Sequence, residues 1–294
     1  MIHPDNPEMK ALITLLEDPD EEVFSHVSRH ILQQGASAVP ALEKLWEETT
    51  DEQLQERLER LIQFIQTSFV EKSLETWVAT GGDNLLEGAF HVAKLQYPEI
   101  TYAELYRILD DIRQDIWLEL NPHLTALEKV RIINHFLYNI YKFSPNTLNF
   151  YAPQNSLINQ VLESRKGNPI SLGIIYICVA QMLEIPIYGV NLPRNFVLAY
   201  RDELASPNTI LFYINPYNRG IVLGRREIDL FLQQQAIEPQ PSYYEPCTNI
   251  DILQRLLLSI IQSFEKLGYA EKIKAFQRLF HIVRGESNPD LSIR

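Results

Sequence analysis

The chain has 294 residues, 46% hydrophobic and 10% aromatic, enough apolar side chain to bury a large core and too much for a disordered segment. Its 38 acidic residues outnumber its 26 Lys and Arg, giving a net charge of −12. That balance argues against nucleic acid or an anionic membrane as a general partner, because phosphate-binding faces need clustered Lys and Arg. No GxxxxGK[ST] or GxGxxG run is present to cradle a nucleotide phosphate. The two cysteines, Cys178 in an apolar run and Cys247 in a polar loop, make no disulfide framework. The opening MIHPDNPEMK lacks the basic-then-apolar pattern of a secretory signal, and the apolar stretch from Ile170 to Leu183 is shorter than the ~20 residues that span a bilayer. These features predict a cytoplasmic protein with neither a nucleic-acid nor a membrane partner.

Residues 11–66 read as helical. LLEDPDEEV and LWEETTDEQL begin 30 residues apart and share an apolar pair, an acidic turn and a new amphipathic helix. Between them Gly35 stops one helix and Pro40 sits near the first turn of the next. The stretch resembles a pair of HEAT-like helical hairpins. Three further helices are predicted between Ser68 and Leu120, the first two broken at TGGDNL. A helix over Thr125–Tyr141 opens on a capping box, Thr125 with Glu128. KFSPNTLNFYAPQNS then has the composition of an irregular segment with apolar anchors, the kind of loop that is packed down or functional.

A short helix, LINQVLES, leads into RKGNPISLGIIYICVAQMLEIP, a Gly-Asn-Pro turn running into an apolar helix. IYGVNL, FVLAYR and ILFYINP follow as short β-branched and aromatic runs separated by turns, predicting an antiparallel sheet. NRGIVLGRREIDLFLQQQ adds a turn, a short strand and a helix, and EPQPSYYEPC a proline-rich linker. The last 45 residues form two helices joined at Leu267-Gly268-Tyr269, resembling one tetratricopeptide hairpin, whose expected role is to cap the fold.

Residues Asn149 to Tyr200, together with INPYNRG, resemble the transglutaminase-like superfamily, and in particular its bacterial invasion-regulator (SirB-type) branch. The similar elements are Asn155-Ser156, LINQVL, Arg165-Lys166-Gly167, Pro169-Ile170-Ser171-Leu172, Pro186, Gly189-Val190, Pro193 and Asn215-Pro216. The resemblance implies an α+β fold with a central helix on an antiparallel sheet over 69–245. A HEAT-like helical domain would precede it at 1–68 and a tetratricopeptide-like hairpin would follow at 246–294. It also implies acyl-transfer chemistry by a thiolate at the helix start, activated by the helix dipole and a histidine that an aspartate orients.

At the matching positions the chain carries Ser171, Asn195 and Asn215. An amide accepts no proton at neutral pH, so Asn195 cannot be a general base and Asn215 cannot hold an imidazolium. Cys178 lies two turns into the helix, where burial raises a thiol pKa. Ser171 is therefore expected to cap the helix, and the two amides to bond each other or backbone across the strands. The expected function is non-catalytic: protein interaction or regulation with a protein or peptide partner. The expected cleft is lined by Tyr151, Asn155, Ser171, Arg194, Asn195, Asn215 and Tyr217, with no cofactor and no metal. The alternative is a hydrolase or acyl transferase using Ser171 or another nucleophile. His26 and His30 have metal-ligand spacing, but HVSRH supplies no Glu and no third ligand.

Overall fold

A computed structural model describes residues 7–16, 18, 20–202 and 209–286. The chain divides into two compact units whose boundary falls between Ser73 and Leu74. In the first unit, α1 (Pro7–Leu16), α2 (Glu21–Gln34) and α3 (Val39–Glu48) precede α4 (Glu52–Ala79). Asp20 caps α2 by accepting from the Glu22 amide. Gly35, at φ +61°, ends α2, and Pro40 stands in the first turn of α3. Leu16, Ile31, Leu42 and Leu58 form the centre of this unit's core. No Gly or Pro interrupts residues 52–79, so α4 runs unbroken through Ser68, where the expected HEAT-like domain would end.

The second unit opens with the end of α4, where the Trp77 indole donates to the Asn84 carbonyl at 2.8 Å. It continues through α5 (Leu85–Lys94), α6 (Tyr102–Glu119) and α7 (Ala126–Asn134). Both α6 and α7 start on complete capping boxes, Thr101 with Glu104 and Thr125 with Glu128. The helix expected over 125–141 is not α-helical throughout: His135–Ile140 is a π-helical stretch. A two-residue strand, β1 (Ser144–Pro145), pairs in parallel with β2 (Lys166–Gly167), bracketing α8 (Ile158–Ser164).

The centre is α9 (Pro169–Met182), buried on every side from Ile170 to Ala180, as its uniformly apolar sequence requires. Four antiparallel strands follow: β3 (Ile187–Val190), β4 (Val197–Arg201), β5 (Ile210–Asn215) and β6 (Ile221–Leu223), in that spatial order. Phe196, immediately before β4, locks the helix to the sheet. A Cβ on Gly173 of α9 would lie 2.5 Å from its ring, and one on Gly189 of β3 would lie 2.7 Å from it. Next, α10 (Arg225–Gln234) places Ile228 and Leu232 against Val190, Leu192 and Tyr213. The hairpin of α11 (Asn249–Leu267) and α12 (Ala270–Val283) turns on Gly268 at φ +76° and stacks Phe264 on Phe276, with centroids 5.5 Å apart. The architecture is α+β, with helical flanks around a helix-on-sheet core. Among the described residues no helix is long and apolar enough to cross a membrane.

Candidate functional site

The start of α9 is held by Asn168, not by Ser171. Asn168 has extended backbone, and its Oδ1 accepts from the amides of Ile170 (3.0 Å) and Ser171 (2.9 Å). Its Nδ2 donates to the hydroxyls of Ser156 (2.7 Å) and Ser259 (3.1 Å), the latter on α11. All four hydrogen-bonding positions of the carboxamide are thereby filled at a buried site. Ser171 takes the third helical position and closes the box in return, its Oγ accepting from the Asn168 amide at 3.0 Å. The expectation that Ser171 is the cap is corrected on this point. Pro169 sets the first helical residue, which puts the cap one position earlier, on the Asn of Gly-Asn-Pro.

The Ser171 hydroxyl donates to the Asn155 carbonyl at 2.5 Å, and the residue is 1% exposed. Gly167 roofs it, since a Cβ there would lie 2.5 Å from Oγ. Among the described residues neither imidazole nor carboxylate bonds this hydroxyl, and a carbonyl oxygen cannot take its proton.

The strand register pairs Leu198 with Ile214, so Asn195, before β4, and Asn215, ending β5, lie at one end of the sheet. Their side chains do not bond each other among the described residues, contrary to expectation. Asn195 Oδ1 accepts from the next amide, Phe196, at 2.8 Å. Asn215 Oδ1 accepts from the amides of Tyr217 (3.1 Å) and Asn218 (3.2 Å) and caps a single 3₁₀ turn. Each amide is spent on its own turn, which is shorter in reach than a cross-strand bond.

Two groups that local patterning does not reveal hold these turns. Arg255 of α11 donates from Nη2 to the Asn195 carbonyl at 2.6 Å; burial lowers its pKa, and among the described residues no carboxylate pairs with it. The Pro216–Gly220 turn is gripped from the other side. Asn134 Nδ2 donates to the Gly220 carbonyl (2.7 Å), and the Tyr138 hydroxyl donates to the Pro216 carbonyl (2.9 Å). Arg219 donates to the Asn139 carboxamide oxygen. Asn134 Oδ1 in turn accepts from Tyr176 of α9 at 3.0 Å. Gly220, at φ +70°, has no room for a Cβ because the Asn134 carboxamide occupies that space. Sequence separations near 80 explain why no local signal exposes these contacts.

The remaining expected cleft residues fall in two clusters. Asn155 is buried; its Nδ2 donates to the carbonyls of Asn149 (2.7 Å) and Phe150 (3.0 Å), and its Oδ1 accepts from Asn146 (2.8 Å). That staple presents Phe150 edge-on to both Tyr151 and Tyr217, and Lys266 lies 5.3 Å over the Tyr151 ring. Leu148, in the same loop, is 94% exposed. Arg194 is apart from this group, donating to Gln235 at the end of α10 at 3.0 Å. A groove of about 450 Å³ lies elsewhere, between β5 and the Pro239–Glu245 strap. A second, of about 300 Å³, lies beside Tyr102, Tyr106 and Met182.

Burial pushes the Cys178 thiol up to about 12. Cys247 is raised to about 12 as well, first by burial and then by Asp251. It does not stand in an open polar loop: its Sγ donates to the Gly189 carbonyl at 3.2 Å, against the sheet. Among the described residues no group of three or more His, Cys, Asp or Glu could hold a metal ion.

The transglutaminase-like superfamily model matches residues 103–258. The chain is 34% identical over 148 residues to a UPF0162 protein of Xylella fastidiosa, covering 49% of this chain and 50% of that one. It is 28% identical over 186 residues to a UPF0162 protein of Pseudomonas aeruginosa, covering 63% and 66%. It is also 28% identical over 139 residues to the F-box only protein 21 of Mus musculus, covering 46% of this chain and 22% of that one. The chain thus spans about half the length of the Xylella relative. No solved structure matches. The matched span holds the central helix, the four-stranded sheet and the Ser171, Asn195 and Asn215 positions, and the chain belongs to the transglutaminase-like superfamily.

Proposed function

We propose that this chain is a non-catalytic member of the superfamily, of the invasion-regulator branch, acting by protein interaction in the cytoplasm. The observation that carries the reading is the state of the Ser171 hydroxyl. It is sealed under Gly167, donates to a backbone carbonyl, and has amides where a base and an acid would stand. An acyl-transfer nucleophile needs an open face and a proton acceptor within hydrogen-bond reach, and Ser171 has neither. The aromatic cluster of Phe150, Tyr151 and Tyr217 supports the interaction half of the reading, because it leaves large apolar surface at the rim of the old site. The helical flanks are read as HEAT-like before the core and tetratricopeptide-like after it, shapes that serve as binding scaffolds when stacked.

The test is covalent labelling. The full chain is incubated with a fluorophosphonate probe and its intact mass is measured beside that of Ser171→Ala. The expected result is no adduct on either protein. An adduct that forms on the native chain and vanishes in Ser171→Ala overturns the reading and makes Ser171 a nucleophile.

A further inference from the structure

The sheet ends on β6, which pairs with β5 along one edge and, among the described residues, with no strand along the other. Alternate N–H and C=O groups along that outer edge therefore point away from the sheet. The strand is Ile-Val-Leu, with Ile221 49% and Val222 37% exposed. Proteins usually blunt such an edge with a charge, a proline or a bulge inside the strand. None interrupts this one.

Charge instead brackets it. Arg219 stands two residues before β6, and Arg225 and Arg226 follow one glycine after it. All three are exposed, and among the described residues no carboxylate pairs with any of them. Arg219 bonds a neutral carboxamide, Asn139. The Arg225 guanidinium lies 4.1 Å over the Tyr244 ring. The neighbouring acids are engaged elsewhere: Glu227 accepts from the Gly224 amide at 2.8 Å, and Asp229 accepts from the Tyr244 hydroxyl. A chain of net charge −12 thus places exposed arginines at both ends of its open aliphatic strand.

We infer that β6 is a docking edge for an extended aliphatic segment of another protein, flanked by acidic residues, which adds as a fifth strand. Backbone pairing supplies the geometry, and successive side chains of the added strand meet Ile221 on one face of the sheet and Val222 on the other. The arginines select the partner. Two copies of β6 paired antiparallel about Val222 would set Arg219 of one opposite Arg225 of the other, a like-charge juxtaposition that disfavours self-association. Acidic flanks reverse that sign and raise the rate of encounter. A three-residue strand offers few backbone bonds, so the interaction is weak and salt-sensitive. The inference concerns a surface other than the Ser171 region, and it stands or falls independently of that region's chemistry.

A fluorescein-labelled peptide Glu-Asp-Val-Thr-Val-Asp-Glu titrated with the full chain, read by fluorescence anisotropy, tests it. Saturable binding is expected at low salt, weakening about tenfold when salt is raised from about 50 to about 300 mM. Arg226→Glu is expected to weaken binding about tenfold. Arg219→Glu serves as a second variant, and circular dichroism confirms that each folds. Two further peptides carry backbone N-methyl groups on one or the other alternate set of residues, and one of them is expected to lose binding altogether. No saturable binding at low salt, equal binding of a lysine-flanked peptide, or undiminished binding of both N-methylated peptides would each overturn the inference. So would a concentration-dependent dimer in sedimentation velocity that Arg226→Glu strengthens, because β6 would then serve a second copy.

Discussion

The start of α9 and the strand β6 belong to the same core, yet they dispose of their polar groups in opposite ways. At α9, Asn168 fills all four of its hydrogen-bonding positions with Ile170, Ser171, Ser156 and Ser259, and the Ser171 hydroxyl is closed off from solvent. At β6, a strand edge and three exposed arginines, none of them paired with a carboxylate among the described residues, face outward. A buried network that is satisfied internally holds a fold together and has nothing left to offer a ligand. An exposed set of unsatisfied groups adds little to the fold and has everything left to offer.

The contrast can be broken or sharpened by substitution, beginning with the largest effect. Asn168→Ala removes a helix cap, leaves two buried first-turn amides without their acceptor, and leaves the Ser156 and Ser259 hydroxyls with their long mutual contact of 3.3 Å. A loss of about 3 kcal/mol in urea unfolding is expected. A loss below about 1 kcal/mol would show that the network is not what holds the helix start.

The second effect is a pH dependence. Burial raises the Cys178 thiol to about 12 in the folded chain, while an unfolded thiol ionises near 8.5–9. Between those values the unfolded chain has released the proton and the folded chain has kept it, so stability falls as pH rises. The slope is about 1.4 kcal/mol per pH unit for each such thiol, and Cys247, also raised to about 12, adds its own share. Tyr138 and Tyr176, also raised by burial, bend the curve the same way above pH 10. Urea midpoints across pH 8 to 11 check it, and Cys178→Ala should flatten the first part of the decline.

The smallest effect belongs to the edge. Ile221→Thr at the half-exposed end of β6 is expected to change stability by no more than about 0.5 kcal/mol. Thermal unfolding of that variant beside Asn168→Ala places the two regions on one scale.

The order and kind of elements were legible in the sequence wherever the signal was local. Thr125 with Glu128 announced a helix start, Gly35 and Gly268 marked helix ends, and the β-branched runs at 187–190, 197–201 and 210–215 became strands. The likeness to the superfamily was also legible, because it rests on short contiguous motifs. Details of the site were less so. Asn168 and Ser171 are three residues apart, and both can cap a helix; only the position of Pro169 decides between them. The grips on the Pro216–Gly220 turn come from Asn134, Tyr138 and Asn139, and Arg255 reaches Asn195 from 60 residues away. Pairings of that kind are set by how layers pack, and no periodicity within a single segment encodes them.

The π-helical stretch at His135–Ile140 has a consequence for how chains of this type can vary in length. In an α-helix of 3.6 residues per turn, a side chain five positions on points well round the cylinder. Closing the turn over i to i+5 brings it back, so that Asn134, Tyr138 and Asn139 all reach one turn of the sheet. The segment therefore acts as a gauge that counts residues more strictly than it reads them. A homologue one residue shorter here would regain an ordinary helix and turn the position of Asn139 away from Arg219. The tether on the arginine that precedes β6 is thus set by the helical winding some 80 residues upstream.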